Sequence, residues 1–149
     1  MYKIKLSRLW RFLLFLLILA VAAFDQAIKW NVYKKGGFFN WKEIIDIGFY
    51  QNYGTAFGIL IPYYLLFPLI FISLGLITWK YYRYINQGYL WAFLSYFLVV
   101  GGALSNFIDR LHYGFVIDYI HFNLGSTFNI ADCMIIGGVF LLIVKEFKK

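Results

Sequence analysis

The chain has seven acidic side chains in 149 residues, and four of them, Asp25, Asp109, Asp118 and Asp132, stand inside or at the ends of apolar runs. Glu43, Asp46 and Glu146 lie in polar surroundings and need no special account. An Asp at the centre of an apolar helix costs about 2.5–3.5 kcal/mol on insertion scales, so it needs a partner, a wet cavity or a function. Asp25 precedes Lys29 by four residues, the order that favours a helical ion pair, so a structural role suits it as well as a catalytic one. Asp109 is followed by Arg110 and stands three residues after Asn106, which offers it a charge and a donor and points to an orienting role. Asp118 has no basic residue nearer in sequence than Arg110, and only His112 and His121 as titrating neighbours. Asp132 follows Asn129 by three residues, on one face of a helix, with no cation close by in sequence. These last two are the least compensated carboxylates of the chain.

Two carboxylates brought close together do not both ionise easily, and one proton is then shared. The ionised member takes a proton from water while the protonated member polarises a carbonyl, which is the chemistry of aspartic peptidases. A proton or ion relay, or plain hydrogen bonding between helices, uses the same residues and stays open on spacing alone. Other chemistries fit less well. His112 and His121 lack the spacing of a zinc peptidase, and Cys133 beside Asp132 reads as an inert thiol in an apolar helix. Ser105 and Ser126 have no evident base, and Lys29 lies too near a segment border to serve a Ser/Lys dyad. Gly101-Gly102 reads as close helix packing.

What must position these residues is a set of helices in lipid. The chain is 62% hydrophobic and 14% charged, against about 25% charged in a soluble domain, so lipid is its main solvent. Four segments, about 9–28, 59–79, 87–108 and 128–145, approach the ~17–25 residues that cross ~30 Å of hydrocarbon. The expected fold is therefore mainly α and integral to the membrane, one domain over residues 1–149 with four transmembrane helices. The basic run before the first helix resembles a signal peptide, but no small-x-small cleavage pattern follows it, so that helix is read as retained. A strand-like alternation at Ile45-Asp46-Ile47-Gly48-Phe49 predicts a small extracytoplasmic β element. Phe115–Phe122, too short to span, is expected as an interfacial segment between helices 3 and 4.

The net charge of +7 does not mark a nucleic-acid binder, because it is gathered at membrane borders. Lys3, Lys5, Arg8 and Arg11, then Lys80 and Arg83, then Lys145, Lys148 and Lys149 form three clusters, all cytoplasmic by the positive-inside rule. Both termini are then inside, and the four unusual aspartates fall on the outer side. The inner half of the bilayer holds no acid, which disfavours a relay. One cysteine excludes an internal disulfide.

Four blocks of this sequence resemble the lipoprotein signal peptidases, or type II signal peptidases, of bacterial membranes. Phe24-Asp25-Gln26-x-x-Lys29 resembles the family's D-Q-x-x-K, and Asn52-Tyr53-Gly54-Thr55-Ala56-Phe57-Gly58 its N-x-G-A-A-F-G. Gly101-Gly102-Ala103-Leu104-Ser105-Asn106-Phe107-Ile108-Asp109-Arg110, continued by Tyr113 to Ile120, resembles its longest signature, and Phe128-Asn129-Ile130-Ala131-Asp132 its F-N-x-A-D. Thr55, Ser105, Tyr119 and Cys133 depart from it, where Ala, Gly, Phe and a small residue are usual, and Ser126-Thr127 replaces a usual Trp or Pro. The resemblance implies an aspartyl endopeptidase of the bacterial cytoplasmic membrane that acts on diacylated prolipoproteins without metal or organic cofactor, as a monomer in contact with membrane lipid. It implies Asp118 and Asp132 as catalytic, with Asp25, Asn52, Gly54, Asn106, Asp109, Arg110 and Asn129 lining or supporting the site.

Overall fold

The first apolar run does not end at Ile28. In the computed structural model, which describes residues 4–37, 39–41, 45–54, 61–122 and 125–147, helix α1 covers Arg8–Lys35 and is closed by Gly36 at φ 76. The run continues because Lys29, which reads as a border charge, is buried and ion-paired, while Val32 beyond it is also fully buried. Next come strands β1 (Phe39–Trp41) and β2 (Ile45–Asn52), helices α2 (Tyr63–Asn86) and α3 (Leu90–Tyr113), strands β3 (Val116–Phe122) and β4 (Ser126–Phe128), and helix α4 (Ile130–Phe147).

Each expected helix is present, with shifted ends. For α2, the expected start at Ile59 lies outside the described residues; the helix runs on through the basic pair Lys80 and Arg83 to Asn86. α3 starts only after Gly88, whose φ of 77 makes the turn, and it passes through Asp109-Arg110 to a left-handed Gly114 cap. Gly suits that conformation because it has no Cβ to clash. Among the described residues, α1, α2 and α3 are long and apolar enough to cross a membrane. α4 has 18 residues and carries Asp132, Lys145 and Glu146. Leu17, Ile72, Leu76, Ile136 and Phe140 point outward, an arrangement suited to lipid rather than to water.

α3 is the centre of the bundle, packed on α1, α2 and α4. Its glycines let α4 come close. A Cβ on Gly102 would collide with the backbone oxygen of Ala131, and one on Gly138 would stand 2.8 Å from the Ser95 carbonyl. Phe107 of α3 takes Phe67 and Phe71 of α2 edge-on, with ring centroids 5.0 and 5.4 Å away.

The two short extended segments are one structure. They pair antiparallel in a four-stranded sheet of order β1-β2-β3-β4. The segment expected to lie alone between helices 3 and 4 is thus β3, a central strand. Its β-branched and aromatic residues serve two faces. Ile117 and Tyr119 join Val32 and Phe115 in a core against the end of α1, and Asp118 points the other way. The register of β2 on β3 slips between Ile47 and Tyr50, so the alternation read from Ile45 onward breaks at a bulge.

Candidate active site

Helix α4 begins on a reciprocal cap. The backbone N–H of Asp132 donates to Asn129 Oδ1 at 2.9 Å, and the Asn129 N–H donates to Asp132 Oδ2 at 3.3 Å. This is a capping box: the spacing that reads as one helical face places Asn129 just before the helix and Asp132 in its first turn. With its oxygen occupied, Asn129 turns its Nδ2 outward to Asp118 Oδ1 at 2.9 Å.

Asn52 and Asn106 follow the same logic. Asn52 Oδ1 accepts from the Gly54 N–H at 2.9 Å, and its Nδ2 donates to Asp118 Oδ2 at 3.0 Å. Asn106 Oδ1 accepts from Lys29 Nζ at 2.9 Å, and its Nδ2 donates to Asp132 Oδ1 at 2.7 Å. Asn129 Nδ2 also approaches Asn106 Oδ1 at 3.2 Å. Each amide oxygen is held by a donor, so each amide nitrogen faces a carboxylate. Asp118 and Asp132 thereby share one continuous amide shell built from α1, β2, α3 and α4.

The two carboxylates differ in access. Asp118 is fully buried and takes three uncharged donors, the third being Thr127 Oγ1 at 3.4 Å. Burial, and then the charge of Asp132, push its carboxyl up to about 6, against the opposing pull of Asn52, Asn129 and Lys29. Asp132 is only half-buried. A buried acid that holds its proton more tightly than usual, beside a more accessible carboxylate, is an arrangement suited to acid–base work on a bound carbonyl and water. Neither His112 nor His121 joins this shell. His112 packs on Tyr113, and His121 stacks on Tyr50. Among the described residues, no group of three or more His, Cys, Asp and Glu side chains is placed to hold a metal ion.

Behind this shell lies a second network, where Asp25 and Asp109 belong. Lys29 Nζ bridges Asp25 Oδ2 at 2.9 Å and Asp109 Oδ2 at 2.8 Å, and all three side chains are buried. The cation bonded to Asp109 is therefore Lys29 of α1. Arg110 donates to the carbonyls of Asn106 and Gly54, which ties the Asn52-Gly54 turn to α3. Of the block that follows, Thr55 to Gly58 lie outside the described residues. Asp109 also accepts from the Ile117 N–H at 3.2 Å, fixing β3 against the end of α3.

Lys29 Nζ also stands 3.3 Å from Ser105 Oγ. The pair is not a nucleophile and its base. The ammonium N–H groups are committed to Asp25, Asp109 and Asn106, and Ser105 gives its own proton to Asp25 at 2.6 Å. Gln26, Ser105, Tyr119 and Thr127 are the participants that spacing did not single out. Gln26 and Lys29 were visible within the Asp25 block. Gln26 Nε2 reaches both Ser105 Oγ and Asp109 Oδ1. Tyr119 donates to Asp25 Oδ1 at 2.8 Å, and burial together with the charge of Asp25 raises its phenol so that it stays a donor.

Long apolar helices closed over a buried, carboxylate-centred network define a polytopic membrane protein, and solved structures narrow that class to membrane enzymes. A bacterial membrane enzyme solved by the in meso method at 1.9 Å superposes with a TM-score of 0.77 at 29% identity, covering 100% of this chain and 99% of its own. A second, solved at 2.3 Å, gives 0.75 at 28% identity, covering 99% and 93%. The family model for signal peptidase (SPase) II matches residues 17–148. The lipoprotein signal peptidase of Halothermothrix orenii is 35% identical over 136 residues, covering 89% of this chain and 93% of that protein. That of Rickettsia conorii is 34% identical over 138 residues, covering 85% and 69%. The chain belongs to the signal peptidase II family and is a membrane peptidase.

Proposed function

We propose that this protein removes signal peptides from diacylglyceryl-modified prolipoproteins in the bacterial cytoplasmic membrane, with Asp118 and Asp132 as the catalytic pair. The observation that carries this reading is the amide shell joining the two carboxylates, in which Asn129 bonds both and Asn106 holds Asp132. The whole of residues 1–149 acts as one membrane-embedded domain of four spans and works as a monomer. Both termini and the turn at Lys80 and Arg83 face the cytoplasm, and the sheet and the carboxylates lie near the outer face.

The peptide before the lipid-modified cysteine lies against the half-buried Asp132, and its acyl chains stay in the bilayer. The ionised carboxylate takes a proton from water as the water oxygen bonds to the scissile carbonyl carbon. The protonated carboxyl gives its proton to the carbonyl oxygen, forming a tetrahedral diol. Collapse of the diol breaks the C–N bond, and the leaving nitrogen takes a proton to become the amine of the cysteine. Asn52, Asn106 and Asn129 orient the two acids without adding charge.

The direct test uses Asp118→Asn and Asp132→Asn, assayed in membranes on a diacylated prolipoprotein. Each is expected to lose about 10²–10⁴-fold or more in cleavage rate. Full activity in either variant sinks the assignment. Depletion of the protein in cells is expected to accumulate uncleaved prolipoprotein on a gel, an outcome that neither a relay nor a scaffold produces.

A further inference from the structure

Away from the carboxylates, the first turns of α1 and α3 frame an open cavity of about 360 Å³ lined by Arg8, Arg11, Phe12, Phe15, Phe93 and Phe97. Its lining divides by chemistry. Two guanidinium groups come from one turn of α1, and the phenyl rings form an apolar wall. The wall is fixed, with Phe97 edge-on to Phe15 at 5.2 Å and against Phe93 at 4.5 Å between centroids. The backbone that leads into the arginines is also fixed. Leu6 N–H donates to the Gly88 carbonyl at 2.7 Å and Leu90 N–H to that of Ile4 at 3.1 Å, so the segment before α1 is clamped to the turn between α2 and α3.

The charge of this cavity is uncompensated. Among the described residues the ion pairs are those of Lys29 and Lys80, and neither arginine has a carboxylate partner. Arg11 Nε is buried with no hydrogen-bond partner. Two like charges one turn apart repel each other, and a buried N–H left unfilled is destabilising. An anion with several oxygens corrects both faults, because the guanidinium fork matches a phosphate. A free phosphate leaves the phenyl wall unused, whereas a phospholipid brings an anion and an apolar chain together.

We infer that this cavity binds an anionic phospholipid of the leaflet at the arginine-bearing end, its phosphate held by Arg8 and Arg11 and its acyl chain laid along Phe12, Phe15, Phe93 and Phe97. The inference rests on the membrane topology proposed above and not on the assignment of the catalytic pair. The cavity lies within the size range of ordinary small-molecule sites. At this position an anionic lipid fastens the start of α1 to the start of α3, and so tightens the helix pair that carries Lys29 and Asn106 at its other end.

The test is made on the full-length protein in a neutral detergent, with phosphatidylglycerol as the probe and lipid retention by native mass spectrometry and thermal unfolding as readouts. The wild type is expected to retain phosphatidylglycerol and to unfold at a higher temperature with it, while phosphatidylcholine and inorganic phosphate leave the transition in place. Arg11→Gln and Arg8→Gln are each expected to weaken retention by about tenfold, and Lys34→Gln, near the far end of α1, to retain it fully. The Arg8 side chain is exposed, so Arg8→Gln carries the test if Arg11→Gln does not fold. Retention unchanged in Arg8→Gln, or equal protection by phosphatidylcholine or inorganic phosphate, overturns the proposal. No cleavage assay is involved, so the result is independent of whether Asp118 and Asp132 are catalytic.

Discussion

Ser105 and Tyr119 meet on one carboxylate, Ser105 Oγ donating to Asp25 Oδ2 at 2.6 Å and the Tyr119 phenol to Asp25 Oδ1 at 2.8 Å. Both stand where the type II signal peptidase pattern usually has a residue without a hydroxyl. Two donors at separate sequence positions thus serve a single buried anion. A hydrogen bond to a charged group contributes about 1.5–3 kcal/mol, so Ser105→Ala and Tyr119→Phe should each lower unfolding stability by that amount. Because they act on one carboxylate, the double variant should depart from the sum by about 0.5 kcal/mol or more. Thermal unfolding of the four proteins measures this, and simple additivity argues against a shared role.

Lys29 is the next weak point. Removing its charge leaves Asp25 and Asp109 buried without their cation and takes from Asn106 Oδ1 the nearer of its two donors. Breaking one side of a buried ion pair costs about 3–5 kcal/mol, so Lys29→Met should be strongly destabilised. Its cleavage rate should also fall in the fraction that stays folded, since the Asn106 amide is then held less firmly against Asp132. A variant that unfolds more readily yet cleaves at the wild-type rate per folded molecule would separate the two networks.

The buried acid gives the fold a pH dependence. Asp118 is raised from 3.8 to about 6. Below pH 3.8 it is neutral whether the chain is folded or unfolded, and its site is then no burden. Between 3.8 and 6 the unfolded chain loses this proton while the folded protein keeps it. The folded state then binds more protons, so stability contributed at this site falls as pH rises through that window and levels off above it. The loss is about 3 kcal/mol. Chemical denaturation at intervals from pH 4 to 7 checks the slope, and Asp118→Asn should flatten it.

The helices were legible because hydropathy is local, and their ends were misread because charge compensation is not. Lys29 and Asp109 look like membrane borders in sequence, and both continue a helix because each neutralises the other across α1 and α3. The sheet was half legible for a related reason. Each strand shows its own alternation, but the pairing of β2 with β3 joins residues about seventy positions apart, and no local signal encodes that. Among the site residues, the Asn129–Asp132 spacing was visible and signified a cap. The approach of Asn52 to Asp118 depends on the bulged sheet register, and in the sequence only the family pattern points to it.

The contact of α3 with α4 at Gly102 sets the last expectation. Gly102 lies against the Ala131 backbone, one turn before Asn106, whose amide meets Asp132 at 2.7 Å. A methyl at Gly102 has backbone in front of it rather than a side chain that can swing aside, so α3 and α4 must separate. Overpacking of this kind costs about 1–3 kcal/mol, and it should lengthen the Asn106–Asp132 contact as well. Gly102→Ala is therefore expected to lose both thermal stability and cleavage rate. Gly75 in α2 has open space around its Cα, and there Ala should raise stability by about 0.5–1 kcal/mol through helix propensity alone. The pair of variants isolates the contact: if Gly102→Ala behaves like Gly75→Ala, helix separation at Gly102 does not control the site.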